Sequence, residues 1–225
     1  MTAEIICVGT EILLGNIVNT NAAYLAEKCA YLGLSNYYQV VVGDNEQRLL
    51  ETINTAKSRA DVIFLIGGLG PTEDDLTKET AAKAFNVELV MDEEAKNNIV
   101  TILTNRGIGI TNNNFKQALV PKGSIVLYNK NGTAPGIIME EAGKVVIMLP
   151  GPPNEFVPMV DDQVVPYFLK KGTNDVIYSR VVKLVGVGES KVAEEISDLI
   201  AMTNPTVATY AKTGEVHIRR SEEHT

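Results

Sequence analysis

The sequence predicts a doubly wound α/β domain with a mostly parallel sheet, followed by a smaller, incomplete α+β domain. Three observations lead there. Strand-like and helix-like segments alternate through residue 86, as βαβ units with right-handed crossovers require. The run "DVIFLIGG" (61–68) is apolar without alternation, as in a strand covered on both faces. Beyond residue 170 the pattern shortens to strand, helix, strand and strand, too short for a comfortable core alone. The expected domains are therefore 1–170 and 171–225.

The elements follow in order. "EIICVG" (4–9) is a short β-rich run ending in glycine. From Asn21 onward, Ala22, Leu25, Ala26, Cys29 and Leu32 share one helical face, with "NTN" offering caps and Gly33 a stop. "NYYQVVVGD" (36–44) predicts a strand, and Leu49, Leu50, Ile53 and Ala56 the next helix. After the apolar strand at 61–68, Leu76, Thr80 and Ala84, with Ala81 and Phe85 alongside, predict another helix. Ala95, Ile99, Ile102 and Leu103 predict one more. A strand at 125–128 and a turn at "NKNG" come next. Two strands at 137–140 and 144–149 are joined by the hairpin turn "EAGK". Phe156, Val157, Val160 and Val164 mark a helix after "PGPPNE". "KKGTND" (170–175) reads as a polar connector. Beyond it come a strand (178–185), a helix with Ala193, Ile196, Leu199 and Ile200 inward, and two strands meeting at "KTG" (212–214). Ser190 lacks the Gly-x-Ser-x-Gly elbow of a hydrolase nucleophile and is assigned as the cap of a helix beginning at Lys191.

Of the 225 residues, 45% are hydrophobic and 21% charged, ordinary for a soluble globular protein. The net charge of -8 argues against duplex nucleic acid as a main partner, since phosphate neutralisation needs a basic face. An anionic small molecule remains open if a metal or backbone N–H groups supply local positive charge. Cys7 and Cys29 fall at apolar positions and read as reduced core residues, in keeping with a cytoplasmic setting. The N-terminus has no basic n-region of a signal peptide, and no apolar run spans a bilayer, so no membrane partner is expected. His217 and His224 are isolated; neither a His-based triad nor a zinc set is spaced for them.

In parallel α/β sheets, ligands collect beyond the C-terminal ends of strands. Three strands here end in "GTEILLGNIVNTN", "VGDN" and "GGLGPTEDD", and all three ends belong to one edge. Glycines let a backbone approach phosphate, and a following helix directs N–H groups at it. Glu73, Asp74 and Asp75 can equally be charges at a helix N-terminus. Asp44 can be a helix cap, as "GDNEQRLL" resembles a capped start, and Glu11 a solvated loop acid. Considered together, Glu11, Asp44, Asp74 and Asp75 converge on the glycine loop. Their mutual repulsion beside phosphate is relieved by Mg²⁺ or a similar hard cation. "NKNGTAPG" (129–136) and "LPGPPNEF" (149–156) are rigid turns after strands, and Glu155 is either a site acid or a first-turn helix acid.

These segments, with "NGTAPG" (131–136), "LPGPPNEF" (149–156) and "VGVGES" (185–190), resemble the N-terminal half of the competence/damage-inducible protein A (CinA) family, in the MoaB/MogA molybdopterin-binding superfamily. The match runs from residue 1 to about 219. The resemblance implies one acid after the second strand and one after the glycine loop, matching Asp44 and Asp75, the expected catalytic pair. It implies a metal-dependent ADP-ribose pyrophosphatase, with a divalent metal (Mg, Mn or Co) and potassium as cofactors, and a homodimer. The alternative is a molybdopterin-binding module with little catalysis of its own; either way the partner is a small-molecule nucleotide or pterin. Gly67, Gly68 and Gly70 would then cradle phosphate. Asp44, Asp74, Asp75 and Glu11 would hold the metal, and Asn21, Thr72 and Asn131 orient substrate. A deamidase domain often follows in this family, and its activity is not carried over to this chain. After "GEVHIR" the sequence leaves the family pattern for "RSEEHT", so residues 220–225 are expected to be foreign or frame-shifted sequence, disordered and unpacked.

Overall fold

Strands and helices alternate from the first residue. In order they are β1 (Thr2–Val8), a short α1 (Thr10–Leu13), α2 (Thr20–Tyr31), β2 (Ser35–Val42), α3 (Glu46–Arg59), β3 (Val62–Ile66) and α4 (Thr77–Phe85). Then come β4 (Leu89–Met91), α5 (Glu93–Asn105), a 3₁₀ segment (Asn112–Ala118), β5 (Leu119–Pro121), β6 (Ile125–Leu127), β7 (Gly136–Glu141), β8 (Lys144–Leu149) and α6 (Pro153–Met159). A π segment (Val160–Val164) links α6 to α7 (Val165–Lys171). This computed structural model describes the backbone of residues 1–172 and 176–224, and side chains over 1–172 and 180–221.

The main sheet has the order β2-β1-β3-β8-β7-β6. β2, β1, β3 and β8 are mutually parallel, and β7 runs antiparallel to both of its neighbours, β8 and β6. Consecutive strand residues enter opposite layers, as the pleat requires. Cys7 and Phe64 pack with Leu25 and Cys29 of α2, Phe156 of α6 and Phe168 of α7. Ile6 and Leu65 pack with Leu49 and Ile53 of α3 and Ala81 and Phe85 of α4. All five residues of β3 are buried, the reason its sequence shows no alternation. Glu4, also fully buried in β1, is held by two hydrogen bonds from Arg59 at 2.8 and 2.7 Å.

From β1 the chain crosses to β2 on one side, and from β3 it continues toward β8 on the other. The gap between the C-terminal ends of β1 and β3 is therefore the switch point, where open α/β sheets bind ligands.

Several expectations are corrected. Asn45, not Asp44, caps α3, its side chain accepting from Arg48 N. The β4–β5 ladder and the 3₁₀ segment are too short to leave a periodic signal. The helix after "PGPPNE" extends to Lys171 through the π segment, just before Pro166, whose missing N–H cannot continue the normal ladder. Of the expected connector, residues 173–175 lie outside the described residues.

The second unit comprises β9 (Val176–Val185), α8 (Glu189–Glu195), α9 (Ser197–Ile200), β10 (Thr206–Lys212) and β11 (Glu215–His224), with sheet order β10-β11-β9. Its helix starts at Glu189 after Gly188, so Ser190 lies in the first turn and caps nothing. A break at Ile196 shifts the helical phase, leaving Leu199 and Ile200 exposed and Val192 as the buried contact. The expectation of a disordered end is also corrected: the β11 backbone pairs with β9 through His224↔Val176, because the long β9 offers ladder partners beyond Arg220. Thr225 lies outside the described residues.

Candidate functional site

The end of β1 is tied to the end of β2 by two reciprocal hydrogen bonds. Thr10 N donates to Asp44 Oδ2 at 2.8 Å, and Asp44 N donates to Thr10 Oγ1 at 3.2 Å. Because Asn45 takes over the cap, Asp44 keeps its carboxylate at the strand end. Glu11, in the first turn of α1, stands close by Gly9: a Cβ there would meet its carboxylate at 2.6 Å.

Beyond β3, Gly67 and Gly68 adopt φ of 100° and 65°. A Cβ on Gly67 would lie 2.3 Å from the Val8 carbonyl oxygen, so only glycine lets the loop press on β1. Gly67 N donates to Leu149 O at 2.9 Å, continuing the sheet. Thr77 at the start of α4 fixes the loop from the other side, its hydroxyl donating to Gly67 O at 2.7 Å.

The acid run then closes on itself. Thr72 N donates to Asp75 Oδ2 at 2.9 Å, the Thr72 hydroxyl donates to the same oxygen, and Asp75 N returns a bond to Thr72 O at 3.2 Å. The Asp74 carboxyl competes with Asp75 for the single Thr72 hydroxyl proton, the first cause that holds it below its usual value, ahead of the Asp74 amide and the smaller pull of the Lys116 cation.

A cavity of about 550 Å³ opens at this edge. Glu11, Asp44, Asp74, Asp75 and Glu155 line it, together with Asn21 and Gly67, Gly68 and Gly70. Among the described residues, no Lys, Arg or His belongs to that lining. Asn21 Nδ2 donates to Gly151 O at 2.6 Å, bracing the "PGPP" wall. Two residues expected to orient substrate, Thr72 and Asn131, are not among those that line the cavity. Thr72 is turned toward Asp75. Asn131 is directed to Asn154 O at 2.7 Å, because Asn129 Oδ1 gathers the amides of Asn131 and Gly132 into a tight turn. Thr133 and Ala134 form that wall instead. Glu155 accepts from Asn129 Nδ2 at 2.6 Å.

Sequence reasoning missed the residues beneath the loop. Gln117 lines the cavity at 3% exposure; its Nε2 donates to Leu69 O at 3.3 Å and its Oε1 has no partner among the described residues. Lys116 Nζ donates to Thr72 O at 2.8 Å and Asp75 O at 2.7 Å. Lys78, 2% exposed, donates to Lys116 O, and burial lowers its pKa to about 8. No periodic or motif signal in "NNNFKQA" announces these contacts, which join segments about forty residues apart.

Among the described residues, no three His, Cys, Asp or Glu side chains stand together as a group able to hold a metal ion. The carboxylates therefore do not form a protein-only cage. They suit a hard cation held by one or two of them and completed by a ligand's phosphate and water, the usual coordination of Mg²⁺.

An α/β domain with an acid-lined cavity at its switch point defines a class of small-molecule binding domain. Residues 4–170 match the family described as "Probable molybdopterin binding domain", and residues 179–224 match "Damage-inducible protein CinA KH domain". The chain belongs to the CinA family. A "Putative competence-damage inducible protein" of Clostridium beijerinckii is 54% identical over 97% of this chain and 53% of its own length. A "CinA-like protein" of Dictyoglomus turgidum is 50% identical over 97% and 53%. The chain thus spans about half the length of the curated relatives it matches. The crystal structure of CinA from Thermoplasma acidophilum, a protein described as of unknown function, superposes with a TM-score of 0.66 at 36% identity, covering 72% of this chain and 95% of that one. A "Putative molybdenum cofactor biosynthesis protein" from Corynebacterium diphtheriae, with a TM-score of 0.50 at 19% identity over 76% and 96%, shares the fold.

Proposed function

We propose that the cavity binds ADP-ribose or a related nucleotide and hydrolyses its pyrophosphate with the help of a divalent metal (Mg, Mn or Co), with potassium as a second cofactor. One observation supports this reading above the rest: a glycine loop and five carboxylates meet in one cavity whose lining, among the described residues, holds no Lys, Arg or His side chain. An anionic ligand entering there needs a cation and backbone donors. Gly68 and Gly70 would supply the N–H groups, while Gly67, whose amide is engaged by Leu149, sets the close approach of the loop. Asp44 and Asp75 would hold the cation, with Asp74 and Glu11 completing its charge balance. When bound, that cation polarises a phosphoryl oxygen and lowers the pKa of attacking water. Asn21, fixed through its Nδ2, would present its Oδ1 to the substrate. The buried thiols Cys7 and Cys29 accord with a reducing cytoplasm, and a homodimer is the assembly we expect.

The test is the release of AMP and ribose 5-phosphate from ADP-ribose and water, with Mg²⁺, Mn²⁺ or Co²⁺ and K⁺. No turnover by folded protein under any of these conditions rejects the reading. The lack of a three-ligand carboxylate group among the described residues favours a second reading, a pterin-binding module with little catalysis. Calorimetric titration with molybdopterin and ADP-ribose in parallel separates the two.

A further inference from the structure

We propose that Lys116 is a positioning residue for Asp75, gripping the acid-bearing loop from outside the cavity. The proposal rests on the reading of the cavity as a phosphate-and-cation site.

The segment from Gly70 to Asp75 contains no helix or strand. It carries three consecutive acids, Glu73, Asp74 and Asp75, whose like charges push the loop open. Lys116 counters this at one point. Its ammonium binds the carbonyls of Thr72 and Asp75, the two residues whose side chain and backbone already close the turn. Glu79 stands 3.9 Å away as a weaker third partner. The Asp75 Oδ2 that Thr72 grips is thereby fixed in direction, leaving Oδ1 as the oxygen for a ligand.

Two further contacts hold Lys116 itself in place. Lys78, buried in α4, donates to the Lys116 carbonyl, and the next residue, Gln117, donates to Leu69 O. The 3₁₀ segment thus binds the loop on both sides of Gly70. Lys116 is not among the residues lining the cavity, so its charge offsets the acid run without filling the space a ligand's phosphate needs. Lysine suits this task because a compact ammonium can serve two carbonyls at once.

The experiment compares Lys116→Met and Lys116→Arg with the unaltered protein by amide hydrogen exchange across residues 69–76 and by steady-state kinetics with ADP-ribose and Mn²⁺. Lys116→Met is expected to speed loop exchange about tenfold or more. It lowers kcat by a similar factor and leaves KM within about threefold, the pattern of an interaction that matters for chemistry more than for binding. Lys116→Arg recovers most of both. Loop exchange at the unaltered rate in Lys116→Met, or an unchanged kcat, overturns the proposal. If Lys116→Met does not fold, Lys116→Gln, which keeps an uncharged NH₂ donor on a shorter stem, is judged by the same two readouts. If the unaltered protein shows no turnover, the catalytic reading of the cavity fails, and loop exchange alone decides whether Lys116 positions Asp75.

Discussion

Thr10 and Asp44 hold each other through two reciprocal hydrogen bonds that join the ends of β1 and β2. The Asp44 carboxylate accepts a backbone N–H while belonging to the cavity wall. Replacing Asp44 with asparagine keeps an acceptor for Thr10 N but loses the charge. Asp44→Asn is therefore expected to melt within about 2 °C of the unaltered protein, since a half-buried change that keeps its hydrogen bonds costs about 0.5 kcal/mol. Its Mn²⁺-dependent nucleotide affinity is expected to fall about tenfold or more, measured by calorimetry. Equal affinity removes Asp44 from the cation site.

Asp75 offers a sharper version of the same experiment. Thr72 N and Oγ1 both donate to Oδ2, and the side-chain carbonyl introduced by Asp75→Asn can accept both. The variant is thus expected to preserve the loop and its hydrogen exchange while abolishing turnover. Turnover at the original rate returns the acids of this run to helix-end charges with no role in chemistry.

Gly67 and Gly70 differ in what a methyl group would strike. At Gly67 it meets the Val8 backbone at 2.3 Å, with φ at 100°. Neither can yield without separating β1 from β3. Gly67→Ala is expected to cost about 2 kcal/mol or more, lowering Tm by roughly 5 °C or more. At Gly70 the methyl meets Asp75 Oδ2 at 2.3 Å, a side-chain atom that can rotate away. Gly70→Ala is expected to leave Tm nearly unchanged and to remove turnover by displacing Asp75. Thermal melts and assays on both variants check the contrast; equal melting temperatures refute it.

The layers of the fold were legible because burial leaves a local record. Ala22, Leu25 and Cys29 recur at helical spacing and face the sheet, and β3 is apolar throughout because helices cover both its faces. The position of Asp44 and Asp75 beyond strand ends was legible from the same pattern. What chooses between equivalent neighbours was not. Asp44 and Asn45 are adjacent candidates for one cap, and the contest is decided by Thr10, 34 residues away. Asn131 yields its expected place to Thr133 because the Asn129 side chain reverses the backbone between them. Lys116 and Gln117 acquire their roles only through tertiary contact with the glycine loop, which no periodicity encodes.

Lys78 makes stability respond to alkaline pH. Burial, outweighing the attraction of Glu79 and Asp75 and reinforced by repulsion from Lys116, lowers its folded-state pKa from 10.5 to about 8. Between those two values the unfolded chain holds a proton that the folded chain has released. Stability therefore rises with pH across this window, and the cost of burying the ammonium is present in full below about pH 8. Lys78→Met removes the titration and keeps the apolar stem. Other groups that ionise in this range do so in both proteins and cancel in the difference. The stability of Lys78→Met relative to the unaltered protein is expected to decline by ~3 kcal/mol as pH rises from 7 to 10.5, a shift of about 1.4 kcal/mol per pKa unit. Urea unfolding at a series of pH values measures it. A difference that stays constant from pH 7 to 10.5 means that Lys78 keeps its ordinary pKa in the folded state, and that its bond to the Lys116 carbonyl is made by a charged ammonium through most of this range.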